Sequence, residues 1–521
     1  MIAHHGLQAS ADDPPRERVL RTHVSPYGGD PREMSTSREE AWALSSEALA
    51  RVVEDLGRAG QRYERAIARA RKPGFGALIV AFVVIVTATN IMYFPHAGAL
   101  NWFISVAWTL PIGIVPVGIY GAIKTRRKIS DTDRWDKLID DQLIVVIPTI
   151  GRNDTLPGIT RVVHSFVDAL PQYFVNARID IIIEETCEAR DALVELTRIS
   201  SCINIVIVPS GYRPPNGARF KARASQYALE MRTAQGESTP DIWVLHMDDD
   251  TGARDDTVHE VAHFIDTEGR QGSHLAQGIL CFVKEYSPNR LTWLADAIRP
   301  ADDITRFSAF TGSGHPWIGV HGELLLIRAS IESEIGWDFG PQEITEDARF
   351  AREFSNRYPG KSGWFPGRSY GSSPETWRDF IRQRARWSEG LIRLVFSRKS
   401  APSKRSYLRY LVCTWLLGPL QNVLIIETIA LAIGNMNACP VFRPLLVIWA
   451  LNMSYVIWAY WEGLKINSHA SGMDRPRVSD RILIIALLPI TSLAEGVAGS
   501  IGLYRVLARK PASFAVISKG F

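Results

Sequence analysis

Apolar runs of membrane-crossing length bracket a long polar segment in this chain, and they constrain its class before any other feature does. Residues 76–94 and 102–123 carry no charge and are each close to the ~20 residues a helix needs to cross a bilayer. Arg69, Arg71 and Lys72 precede the first run, and Lys124, Arg126, Arg127 and Lys128 follow the second. Basic flanks mark cytoplasmic ends, so the pair predicts a transmembrane hairpin within residues 73–125. Runs 410–434 and 441–461, flanked by Arg405, Arg409, Lys465 and Arg475, predict a second hairpin within 401–465. A last apolar stretch over 480–509 is either one span or a broken pair of re-entrant or interfacial helices, and its interruption by Pro489, Glu495 and several small residues favours the broken pair.

Composition agrees with a mixture of membrane and soluble text: 46% of the 521 residues are hydrophobic and 22% charged. A net charge of +4 is too small to argue for nucleic acid, and the basic residues gather beside the apolar runs instead. Five scattered cysteines without CxxC spacing suggest neither a disulfide framework nor a zinc site, and point to a reducing compartment. Residues 1–36, rich in Pro, Gly, Ser and charge, are expected to be disordered. The first seventy residues hold no signal-peptide pattern. Residues 37–72 open with Ser37 and Glu40 as a capping box and continue as an amphipathic helix.

The polar segment, residues 126–400, alternates short apolar runs with helical patterns. Runs 143–148, 179–183, 203–208 and 241–248 suit buried parallel strands with helical crossovers, giving an α/β domain of Rossmann type with its ligand site beyond the strands' carboxyl ends. Directly after the fourth run comes "HMDDDTG", where Asp248 and Asp250 are placed to hold a hard divalent cation between phosphate oxygens. "EITEDARF" reads as a helix start that Thr345 caps, with Asp347 placed as a general base. "FIRQRARWSEGL" puts Gln383 and Arg386, suited to a diphosphate, on one helix with Trp387, whose indole suits a sugar face.

Asp-x-Asp, Thr-Glu-Asp and Gln-x-x-Arg-Trp, in that order within one α/β domain between membrane segments, resemble the motifs of the family 2 membrane glycosyltransferases, which include cellulose and hyaluronan synthases. The resemblance implies an α/β GT-A (Rossmann-like) cytosolic domain combined with an α-helical transmembrane region. It implies Mn²⁺ or Mg²⁺ at Asp248 and Asp250 with the donor diphosphate, Asp347 as catalytic base, and Glu346 beside the acceptor. Gln383 and Arg386 would grip the diphosphate and Trp387 would contact the acceptor sugar. In "VVIPTIGR" it places Pro148 and Thr149 near the nucleotide. Glu184 stands where the family has an aspartate at the nucleobase, which leaves uracil and guanine both open. Lys221 lies on the helix that approaches the nucleotide, and His321 in the acceptor-side loop.

"AQGIL", "IRPADD", "VHGELLLIR" and "IGWDFG" look most like the Egghead-type β-1,4-mannosyltransferase subgroup, which implies a GDP-mannose donor and a lipid-linked or glycan acceptor. A UDP-sugar donor stays open, as do a processive synthase that secretes its polymer and a non-catalytic membrane protein with a degenerate domain. The terminal "FAVISKGF", residues 510–521 with the preceding turn, is similar to the gating loop of cellulose synthases. That likeness implies Phe514 and Lys519 at the donor site and a cytoplasmic tail, while the hairpins and their basic flanks predict a multi-pass protein with its catalytic domain in the cytoplasm.

Overall fold

The computed structural model describes residues 72–91, 106–131, 137–396, 406–417 and 445–512. The expected disordered start, nearly all of the amphipathic helix, most of 410–434 and the tail with Phe514 and Lys519 lie outside these residues. Helix α1 (Gly76–Ile91) turns Ile79, Val80, Val83 and Val84 outward. Helix α2 (Ile114–Asp131) continues through a 3-10 turn from a helical stretch that spans Val106–Ile129, long and apolar enough to cross a membrane.

The polar segment folds around a seven-stranded sheet: β1 (Gln142–Pro148), β2 (Ala177–Glu184), β3 (Ile203–Val208), β4 (Ile242–His246), β5 (Leu275–Phe282), β6 (Leu325–Arg328) and β7 (Ser362–Gly371). Their order across the sheet is β3-β2-β1-β4-β6-β5-β7. The first four are the strands the apolar runs predict, and they pair in parallel. β6 runs antiparallel to both neighbours, while β7 pairs in parallel with β5, so the sheet is mixed rather than a uniform Rossmann sheet. This is the GT-A arrangement.

Alternation along β1 explains its unbroken apolar text. Leu143, Val145 and Ile147 enter one core with Val162 and Phe166 of α3 (Leu156–Ala169), while Ile144 and Val146 enter the other with Ala224 and Ala228 of α4 (Phe220–Ala234). A strand covered on both faces needs apolar residues at every position. Helix α5 (Asp255–Phe264) adds Val258 and Val261 to the first core.

Beyond the sheet lie α6 (Glu346–Arg357), α7 (Trp377–Phe396), α8 (Leu446–Ala470) and α9 (Val478–Leu507). The apolar helices dock on the domain through backbone contacts. A Cβ at Gly121 of α2 would lie 1.7 Å from the Thr305 carbonyl oxygen, and one at Gly463 of α8 would lie 1.6 Å from that of Ala297. Only glycine permits approaches this close. Lys124 donates to the Gly312 carbonyl at 2.6 Å, and Lys128 pairs with Glu268, so the basic flank of α2 also fastens it to the domain.

The expected break near Pro489 does not occur. Helix α9 is one continuous helix of 30 residues with Pro489 inside it, about 45 Å long at the usual rise. Proline deletes a single N–H, and the packing of Leu487, Ala494 and Ala498 on the domain side holds the turns on either side of it. Ile482, Ile485, Ile490, Val497, Ile501 and Tyr504 face outward, so α9 carries one apolar stripe on the domain and another away from it. Among the described residues, α9 and the stretch Val106–Ile129 are the two helices long and apolar enough to cross a membrane.

Candidate active site

The carboxyl ends of β1, β2 and β4 lie side by side, and the acidic turn after β4 sits among them. Met247 donates its backbone N–H to Val146 at 3.0 Å, and a turn follows in which the Thr251 N–H reaches the Asp248 carbonyl at 3.3 Å. The turn sends the three aspartates apart. Asp249 accepts from the Thr149 hydroxyl at 2.6 Å, tying the end of β1 to the acidic turn. Asp248 pairs with Lys221, and Asp250 accepts from the Thr251 hydroxyl at 2.9 Å.

A third carboxylate completes the group. Oxygens of Asp248, Asp250 and Glu323 all lie within 4.8 Å of one another. An all-oxygen donor set of this spacing suits a hard divalent cation. Sequence reading missed Glu323 because its position depends on strand direction. β6 is antiparallel to β4 with Leu325 opposite His246, so the residues just before β6 meet those just after β4. The Glu323 side chain is buried, and its Oε2 lies 3.2 Å from the same Thr251 hydroxyl.

Lys221 links this group to the proposed base. Its Nζ donates to the Gly322 carbonyl at 2.8 Å as well as to Asp248. A Cβ at Gly322 would stand 3.2 Å from that Nζ and 3.4 Å from Asp347 Oδ2, so the missing side chain leaves room between the two groups. Burial opposes the charge on Lys221, but Asp248, Glu346 and Asp347 outweigh it and hold the ammonium above its ordinary pKa. Burial, then Asp347, pushes Glu346 up, against the pull of Lys221 and Arg386. Asp347 lies in the first turn of α6 and accepts the Ala348 N–H on Oδ1 at 2.8 Å.

Thr345 stands at the N-cap position but does not cap α6 with its side chain. Its hydroxyl donates instead to Glu343 at 3.0 Å, and its backbone N–H reaches the same oxygen at 3.2 Å. Burial raises the Glu343 carboxyl to about 7 against these two bonds. Gly390 of α7 rests on Thr345, where a Cβ would come within 2.3 Å of Thr345 Cγ2. The Thr-Glu-Asp segment is therefore in direct contact with α7, three residues beyond Trp387.

On α7, Gln383 is buried and its Oε1 accepts from the neighbouring Arg384. Trp387 lies between two guanidinium groups, Arg384 at 4.4 Å and Arg299 at 4.5 Å from its ring centre. His321 is held by Asp303 at 2.8 Å on Nε2 and Arg299 at 3.2 Å on Nδ1, with the Phe307 ring 4.1 Å away. It reaches the Trp387 neighbourhood through Arg299 rather than directly. Glu184, at the end of β2, receives both its bonds from Arg223. Pro148 closes β1 next to Thr149 on the same edge of the sheet.

Comparison with known proteins matches residues 243–461 to the family described as glycosyl transferase family group 2. Over 224 residues the chain is 31% identical to β-1,4-mannosyltransferase egh of Drosophila melanogaster, covering 42% of this chain and 47% of that protein. β-1,4-Mannosyltransferase bre-3 of Caenorhabditis briggsae is 30% identical over 223 residues, and that of Caenorhabditis elegans 29%, with the same coverage. The matched stretch thus spans about half the length of these relatives. Among solved structures, mannosyltransferase PcManGT from Pyrobaculum calidifontis, in complex with GDP-Man and Mn²⁺, is 15% identical with a TM-score of 0.43, covering 70% of this chain and 99% of that one. S. aureus TarS 1-349 is 11% identical with a TM-score of 0.29, over 72% of this chain and 94% of that one. TM-scores this low decide neither fold nor ligand. The family match at 243–461 takes in the acidic turn, α6 and α7, so the part of the chain similar to family group 2 glycosyl transferases is the part that holds this site.

Proposed function

We propose that this protein is an inverting, metal-dependent membrane glycosyltransferase. It moves a sugar, mannose from GDP-mannose before a UDP-linked sugar, onto a hydroxyl of a lipid-linked or glycan acceptor with a β-linkage. The observation that carries the reading is the meeting of Asp248, Asp250 and Glu323 with Lys221 and Asp347 at the carboxyl edge of the sheet. That edge is where open α/β sheets bind ligands. The likeness to the three β-1,4-mannosyltransferases favours mannose and the β-linkage.

Asp347 Oδ2 takes the proton of the acceptor hydroxyl, while Oδ1 keeps its bond to the start of α6. The hydroxyl oxygen attacks the anomeric carbon from the face opposite the diphosphate. The bond from that carbon to the phosphate oxygen breaks, and the nucleoside diphosphate leaves with both electrons. Asp248, Asp250 and Glu323 would hold Mn²⁺ or Mg²⁺, which supplies positive charge to the departing diphosphate. Lys221, Gln383 and Arg386 add hydrogen-bond donors for the same oxygens, and stabilisation of this kind is usually the largest catalytic contribution. Thr149, Pro148 and Glu184 border the nucleoside, while Trp387, with Glu346 and His321 nearby, borders the acceptor.

In this reading the stretch Val106–Ile129 and α9 hold the protein to the membrane, and the basic flank of α2 favours the cytoplasmic side for the domain. Phe514 and Lys519 follow α9 and would close over the donor. The test is a panel of GDP-mannose, UDP-glucose and UDP-N-acetylglucosamine with a membrane lipid extract and Mn²⁺, read by mass. One added hexose, from GDP-mannose alone, is the expected product. A ladder of products would replace single transfer by polymerisation, and no metal-dependent nucleotide release from any donor would overturn the reading.

A further inference from the structure

Arg384 stands inside the Gln-x-x-Arg-Trp stretch, yet none of the roles given above belongs to it. It is 2% exposed on its side chain and is surrounded by partners. One terminal nitrogen pairs with the fully buried Asp296, the other donates to Gln383 Oε1, and Nε reaches Glu495 Oε1 at 3.2 Å. Its guanidinium also lies 4.2 Å from the Phe380 ring centre and 4.4 Å from that of Trp387. One buried group therefore holds both the amide and the indole of the stretch.

Glu495 comes from a different part of the chain, the middle of the apolar helix α9, where a carboxylate is costly without a partner. About three turns further on, α9 meets α7 again. Arg505 donates to Glu389 at 2.6 Å, and a Cβ at Gly502 would fall 2.7 Å from Ser388 Oγ. The second contact joins the same two helices without touching Gln383 or Trp387. We propose that Glu495 is a positioning residue for Gln383 and Trp387, acting through Arg384, so that the C-terminal apolar helix sets the geometry of the site. The inference takes from the transferase reading only what Gln383 and Trp387 do with substrate; the coupling itself stands on the contacts.

Glu495→Gln, Glu495→Asp and Glu389→Gln are compared in the full chain purified into nanodiscs. For Glu495→Gln, kcat/KM should fall about tenfold, chiefly through higher KM for donor and acceptor. Glu495→Asp should recover part of the loss. Glu389→Gln, which removes the other ionic tie between the helices, should stay within about twofold of wild type. Acrylamide quenching of the Trp387 signal, taken as the difference from Trp387→Phe, should rise in Glu495→Gln and not in Glu389→Gln. Equal losses in both variants would reduce Glu495 to helix docking, and wild-type kinetics and quenching in Glu495→Gln would overturn the proposal. If the wild type releases nucleotide from no donor, the transferase reading falls and quenching alone decides the positioning role. If Glu495→Gln does not fold, Glu495→Asp decides by the same two measurements.

Discussion

Glu323 shows how far a single residue can escape sequence reading. It precedes an apolar run, has no motif around it, and gains meaning only when β6 lays it beside Asp248 and Asp250. Replacing it with glutamine should weaken Mn²⁺ binding, measured by spin-resonance titration of the purified protein, by at least the ~10–100-fold that outer-shell changes cost a metal site. Asp347→Asn should lower turnover by about 10²–10⁴-fold, the span of general-base contributions, while leaving nucleotide binding nearly intact by calorimetry. Glu343 gives a pH dependence of stability. Its folded pKa of about 7 lies above the ordinary glutamate value, so between the two the folded state binds the extra proton and loses stability as pH rises through that window. Glu343→Gln keeps an acceptor for Thr345 without the charge. Its thermal midpoint should match wild type near pH 5 and exceed it near pH 8.

At the scale of elements, the decisive contact is that of α7 with the start of α6. Gly390 lets the two approach until Thr345 fills the space a side chain would take. Gly390→Ala should overpack this contact at a cost of about 1–3 kcal/mol and push Thr345, with Glu346 and Asp347 behind it, out of line. Activity should therefore fall further than thermal stability, compared by donor turnover and unfolding midpoint on one preparation. Thr345 also illustrates why local rules fail at a site. A threonine before two acids is an N-cap by pattern, yet the buried Glu343 carboxylate competes for its hydroxyl and takes it. The four parallel strands and the helix bearing Gln383 and Trp387 were legible, because their periodicity is local. β5, β6 and β7 were not among the strands read from the sequence, since β6 is short and its direction is set by the long excursion before it.

Across the whole molecule, the apolar helices dock on the domain itself. α2 and α8 rest on the domain backbone through Gly121 and Gly463, and α9 lies along α7. Protein in membranes should resist extraction by alkaline carbonate and leave with detergent; release by carbonate would contradict the anchoring role of Val106–Ile129 and α9. Taken alone, the sequence determined the first four strands, pointed to the class of the protein, and offered candidate groups for metal, base and diphosphate. Apolar periodicity and residue type are properties of neighbouring positions, so they survive without the fold. Tertiary structure alone decided that Glu323 joins the two aspartates, that Lys221 meets Asp248 beside Asp347, that α9 stays whole through Pro489, and that Arg384 binds Glu495. Each of these depends on a strand direction or a helix docking set by burial between distant segments, which no local stretch of text encodes.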